Sequence, residues 1–144
     1  MIMNAFDVKT YPKAAYFVKV NLPDVIKVPA IVNAFRKIGG INRVTLQSAL
    51  RWGSGPSIRI TILTGALGEF TPVAGSNEIR VHKPMVDDFE KGKGKRIAHA
   101  GNVYLLGVTL LHELTHWADN RDGIDRPHEE GEEFERAIYG GVIF

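Results

Sequence analysis

The sequence predicts an α+β domain in which a small mixed sheet packs on a central helix and on a second helix that follows it. Three observations predict this class. SIRITILTG (57–65) and NEIRVHKP (77–84) alternate apolar, often β-branched, residues with polar ones and end at glycine or proline, as strands do. NVYLLGVTLLHELTHWA (102–118) is apolar around its whole circumference and contains no proline, the pattern of a helix buried on all sides. EEGEEFERAIYG (129–140) repeats apolar residues at helical spacing.

A chain of 144 residues, 44% of them hydrophobic, can fill one core but hardly two, so residues 1–144 are expected to form one domain. No run of eighteen apolar residues occurs, which excludes a helical membrane span. The opening MIMNAFDVKTYPK lacks the basic-then-apolar order of a secretory signal. With no cysteine, disulfides, thiolate metal sites and cysteine nucleophiles are excluded, and any metal must be held by nitrogen and oxygen. The net charge of +2 conceals a split. Residues 1–112 carry 15 Lys/Arg against 7 Asp/Glu, a balance of +8, whereas residues 113–144 carry 3 against 9, a balance of −6. That acidic end suits a cation site, although most such carboxylates simply cover a solvated helix face.

In chain order, AYFVKVNL (15–22) alternates weakly and reads as a strand. PAIVNAFRKIGG (29–40) opens with Pro29, repeats Ile31, Val32, Phe35 and Ile38, and closes with Gly39, so it reads as a helix. VTLQSALRW (44–52) fits either period. The strands 57–65 and 77–84 flank GALGEFTPVAGS (65–76), whose glycines and proline mark a loop, and Pro84 stops the second strand. KGKGKR (91–96) is a short basic loop. The central helix is expected to start at an N-cap, Asn102, and its Gly107, which costs about 1 kcal/mol against alanine, implies close packing against a neighbour. A turn-rich DNRDGIDRP (119–127) leads to the last helix.

His112, Glu113 and His116 stand in an otherwise apolar cylinder, and burying them is costly unless something pairs with them. Four residues apart, the two histidines share one helix face and can both reach an ion about 2 Å from each nitrogen. Glu113, turned about 100° from His112, is better placed to hold a water than to bind the ion. HExxH therefore supplies two metal ligands and a base.

The flanks of this motif resemble the helix pattern of the zincin metallopeptidases. Thr109 stands three before the first histidine, Leu110, Leu111, Leu114 and Thr115 are uncharged, and Trp117 and Ala118 follow the second histidine. The resemblance implies a catalytic Zn2+, hydrolysis of peptide bonds with Glu113 as general base, and a sheet edge that pairs with an extended substrate, for which the strand around Glu78–His82 is the candidate. The metzincin pattern would put a glycine at 119 and a ligand at 122; Asp122 fits, but Asp119 replaces the glycine. A calcium loop of the EF-hand type would begin at Ala118, where a carboxylate is needed.

The gluzincin branch takes its third ligand from a glutamate on the following helix, in several families directly before a glycine, and Glu130–Gly131 resembles that pair. With 100° per residue, Phe134, Ala137, Ile138 and Gly141 define the buried face of that helix. Glu130 lies within about 30° of its centre, and Glu129, Glu133 and Glu135 roughly 90–130° away. Glu130 is therefore the expected third ligand, with Asp119, Asp122, Glu133 and Glu135 as alternatives. A proton donor or oxyanion stabiliser is expected among His99, His128 and Tyr139. Asp119 or Asp122 could orient a metal histidine through its other ring nitrogen.

The stretch from HELTHWADNRDG to EEGEEFERAIYG also resembles the metallopeptidase domains of bacterial polymorphic toxins, including those at the C-terminus of type VI secretion spike proteins. This implies an effector domain without a signal peptide, delivered into the periplasm or cytoplasm of a target cell. A cognate immunity protein and a longer parent protein are implied with it. A rival of another class is a catalytically inactive zinc-containing module that binds an anionic partner through Lys91, Lys93, Lys95 and Arg96; without interleaved aromatics, nucleic acid is poorly supported. A third reading keeps the enzyme and changes the substrate to a peptidoglycan cross-link or another amide.

Overall fold

A computed structural model describes residues 1–98, 101–122 and 129–143, with the side chain of Asp122 excepted, so His99 and His128 lie outside the described residues. The N-terminal third is helical: α1 (Ala5–Thr10), α2 (Pro12–Tyr16), a π-helical turn (Phe17–Asn21), a 3-10 segment (Leu22–Lys27), α3 (Pro29–Lys37) and α4 (Arg43–Leu50). The expected strand over 15–22 is therefore helical. Ala14, Ala15, Val18 and Leu22 are buried, a helical rather than an alternating set. The amide N–H groups of Lys13 and Ala14, at the open N-terminus of α2, donate to the Glu90 carboxylate. The ambiguous stretch 44–52 is helical as far as Leu50, because Asn42 caps α4, accepting from the Thr45 amide, and Leu46, Ala49 and Leu50 fill one face.

The sheet consists of β1 (Ser57–Thr61), β2 (Gly68–Phe70) and β3 (Glu78–His82), in the order β1-β3-β2. β3 runs parallel to β1 and antiparallel to β2. Two expectations are corrected here. β3 is the central strand, paired along both edges, so Glu78–His82 offers no edge to a substrate. The edge next to the metal motif is β2, which lies inside the segment that reads as a loop. Gly68 explains why: a Cβ there would stand 2.7 Å from both Glu113 Oε1 and Thr109 Cγ2, so the residue that resembles a strand breaker is what allows the strand to touch the helix.

Pro84 begins a helix rather than merely ending a strand, since α5 spans Lys83–Glu90. The hairpin of β4 (Lys95–Ala98) and β5 (Gly101–Tyr104) follows, so the basic loop runs into a strand and Asn102 pairs with Ile97 instead of capping a helix. The central helix α6 starts at Leu105 and ends at Asp119, followed by a 3-10 turn, Asn120–Asp122. It is buried on all sides from Leu105 to Thr115, and Gly107 lies against the Phe17 ring, where a Cβ would meet Cζ at 3.0 Å. α6 packs against β2 and β3 and against α7 (Glu130–Tyr139), which ends at left-handed Gly140. Among the described residues no helix is long and apolar enough to cross a membrane.

The buried face of α7 differs from the expected one. Glu130, Gly131, Phe134, Glu135 and Tyr139 are buried, while Ala137 is exposed. The expectation followed apolar residues, but the surface α7 covers carries two imidazoles. Carboxylates that can pair with them are drawn inward, and Glu135 is 0% exposed.

Candidate metal centre

A cleft of about 420 Å³ opens over α6. Gly68, Glu69, Phe70 and Pro72 line it from the edge strand, His112, Glu113 and His116 from α6, and Glu129, Glu130 and Glu132 from the start of α7. The helical spacing does what the sequence implies: the two imidazoles lie side by side, ring centres 5.1 Å apart.

The carboxylates sort themselves by nitrogen. Glu129 Oε1 lies 3.2 Å from His112 Nε2 and 2.7 Å from His116 Nε2. On the far sides of the rings, Glu135 Oε1 is 2.6 Å from His112 Nδ1, and Glu130 Oε2 is 3.2 Å from His116 Nδ1. The second oxygen of Glu135 accepts from the Ile143 amide, so the segment after α7 folds back and locks that carboxylate. Gly131 is pressed so closely on His112 that a Cβ would fall 2.2 Å from its Nε2.

This donor set fits a cation. With each Nδ1 facing a carboxylate as its proton donor, a neutral imidazole turns the Nε2 lone pair inward. Two such lone pairs and a carboxylate oxygen then converge, an arrangement that repels itself unless a proton or a metal ion sits among them. Donor atoms of His112, His116 and Glu129 all lie within 4.8 Å of one another, so the three can hold one metal ion.

Burial governs the electrostatics beside this donor set. Burial pushes the Glu113 carboxyl up from 4.5 to about 7; the imidazoles of His112 and His116 oppose this, and Glu129 and Glu69 add to it. Burial pulls His112 down, but its bond to Glu135 and the charges of Glu113, Glu135 and Glu129 outweigh that, leaving it above the ordinary histidine value.

Of the residues singled out from the sequence, His112, Glu113, His116 and Glu130 come together, with Glu130 on the Nδ1 side of His116. Glu135, an alternative ligand, instead backs His112. Glu135 and Glu130 stand at the two Nδ1 atoms, the positions considered for Asp119 or Asp122, and the Asp122 side chain lies outside the described residues. Asp119 is half-buried at the end of α6, and Glu133, also half-buried, is not among the residues lining the cleft. Tyr139 packs edge-on against Phe134 in the core, its hydroxyl pushed above its ordinary value by burial and by Glu135, and it too lies away from the cleft lining. Glu129 was missed because it is the N-cap of α7, with φ −84° and ψ 85°, so a helical projection does not apply to it. A carboxylate just before a glutamate-rich helix was the available signal.

An α+β domain with HExxH on a buried helix and a carboxylate brought to both histidines from the next helix has the make-up of a metal-dependent hydrolase. Comparison of the sequence with known families sharpens this, for the model of metallopeptidase toxin 3 matches residues 7–140. The chain belongs to this metallopeptidase toxin family. No curated protein and no solved structure matches it.

Proposed function

We propose that this toxin domain is a zinc-dependent endopeptidase in which His112, His116 and Glu129 hold the metal and Glu113 is the general base. The observation that carries the ligand set is the single oxygen, Glu129 Oε1, standing at both Nε2 atoms. Nitrogen and oxygen ligands without sulfur, with three protein donors, suit a catalytic rather than a structural zinc. Zinc bound there supplies a Lewis acid and lowers the pKa of water towards neutrality.

The chain's own residues do the rest. Glu113, near neutrality and almost fully buried, takes the proton of the attacking water and can return it to the leaving amine. Glu135 and Glu130 fix the two rings with Nε2 facing the cleft. The outer edge of β2 has no strand partner among the described residues, so an extended peptide can pair with it and lay its carbonyl over Glu113, which Gly68 lets the strand approach. Delivery into a target cell and neutralisation by an immunity protein complete the reading.

The test is metal analysis with a quenched-peptide assay. Glu113→Ala should keep one zinc per chain and lose about 10²–10⁴-fold in hydrolysis. Glu129→Ala should lose zinc and activity together, and Glu130→Ala should weaken zinc without abolishing it. Full zinc in Glu129→Ala with none in Glu130→Ala would give the third position to Glu130, and undiminished cleavage by Glu113→Ala would remove it as the base.

A further inference from the structure

A second groove begins where the metal cleft ends. Leu67, the residue before Gly68, lines it, and Leu67 O accepts from the His82 amide, so the pairing of β2 with β3 continues to this point. Its floor is apolar, from Leu67, Met85, Phe89 and Leu106, and it carries two exposed cations, Lys93 and Arg96, against one carboxylate, Asp88. His82 Nδ1 accepts from the Leu63 amide, which leaves the neutral ring's proton on Nε2 as a hydrogen-bond donor. The floor connects to the chemistry through two contacts. Met85 Sδ meets the Thr109 hydroxyl at 3.5 Å, and Thr109 stands one helical turn before Glu113 beneath Gly68.

The charges of the two hollows are opposite. Apart from the two histidines, every ionisable side chain that lines the metal cleft is a carboxylate, whereas this groove has a cationic excess over an apolar floor. A peptide added to the free edge of β2 advances one residue, about 3.3 Å, for each strand residue, so it passes from Gly68 to Leu67 within one residue of the reacting bond.

Resting on the peptidase reading above, we propose that this groove is the subsite for one side of the scissile bond. It takes an apolar residue next to the cut and then, where the chain turns off the strand edge and no longer alternates faces, a carboxylate on the same side, which a side chain or a chain terminus could supply. The apolar side chain fills the space over Met85, Phe89 and Leu106, and the carboxylate meets Arg96, Lys93 and the His82 N–H.

The test is digestion, by the zinc-loaded protein, of a peptide pool randomised around the cut. Cleaved peptides should be enriched at least several-fold for an apolar residue and then Asp or Glu, on one side only. Free-acid and amidated peptides ending two residues past the cut separate a terminal carboxylate from a side-chain one. The double variant Lys93→Glu with Arg96→Glu should move the second preference from acidic to basic by about tenfold or more. Cleavage with no such preference, or the same profile in the double variant, would overturn the assignment. If no peptide is cleaved at all, it is the peptidase reading that fails, and the groove is then judged by anisotropy of a labelled Leu-Asp peptide on the metal-free protein. Binding that the charge reversal weakens would support it, and no binding would sink it.

Discussion

Replacing Glu135 by glutamine should cost metal affinity through the tautomer of His112, without emptying the core. The side chain is 0% exposed and both oxygens are engaged, Oε1 2.6 Å from His112 Nδ1 and Oε2 with the Ile143 N–H. Glutamine has the same shape but one oxygen. If that oxygen faces His112, the NH2 group confronts the Ile143 N–H, donor against donor; if it faces Ile143, the NH2 group confronts Nδ1 and favours the tautomer with its proton on Nε2, where the lone pair is needed for the metal. Either arrangement loses a charge-assisted hydrogen bond of about 1.5–3 kcal/mol. Loss of such a supporting contact typically reduces metal affinity by about 10–100-fold, which is about 1.4–2.7 kcal/mol. The assay is competition for zinc against a chromophoric chelator at fixed pH, with circular dichroism to show that the fold persists. Glu133→Gln, on a side chain away from the cleft, serves as the control. A fold-intact Glu135→Gln within twofold of the parent would refute the reasoning.

The remaining predictions concern Glu113 and the two glycines. In the metal-free protein the Glu113 carboxyl titrates at about 7 instead of 4.5. Its favourable contribution is thus fully present below 4.5 and is lost as pH rises through 7, so Glu113→Gln should gain about 2–4 kcal/mol on the parent between pH 4.5 and 8. Denaturant titrations of both proteins across that range check this, and parallel curves would contradict it. Gly131→Ala should destabilise the protein by about 1–3 kcal/mol and weaken zinc binding, because a Cβ 2.2 Å from His112 Nε2 forces ring or helix to move; thermal melts with and without zinc report both effects. Gly68→Ala should keep zinc and lower kcat, since its Cβ would displace the Glu113 carboxylate rather than a ligand. Loss of zinc in that variant would show the two functions to be less separable than the geometry implies.

The sequence by itself determined the helix, the shared face of His112 and His116, the position of Glu113 and the acidic helix that follows, because each depends on spacing within one element. A 3.6-residue repeat places side chains four apart together whatever surrounds them. It also foretold the all-round burial of α6 and the tight contact at Gly107. Tertiary structure decided everything that depends on what one element meets in another. The helix at 15–22 owes its start partly to Glu90, far along the chain, and β2 exists because Gly68 fits over Glu113. The face of α7 was set by imidazoles to be satisfied, not by its apolar residues. For the same reason the carboxylates were interchangeable on paper and distinct in space. Glu129 stands before the first helical turn and reaches the Nε2 pair, while Glu130 and Glu135 within the helix are confined to the Nδ1 sides. Periodicity fixes an angle about one axis, and a metal site is made where two axes meet.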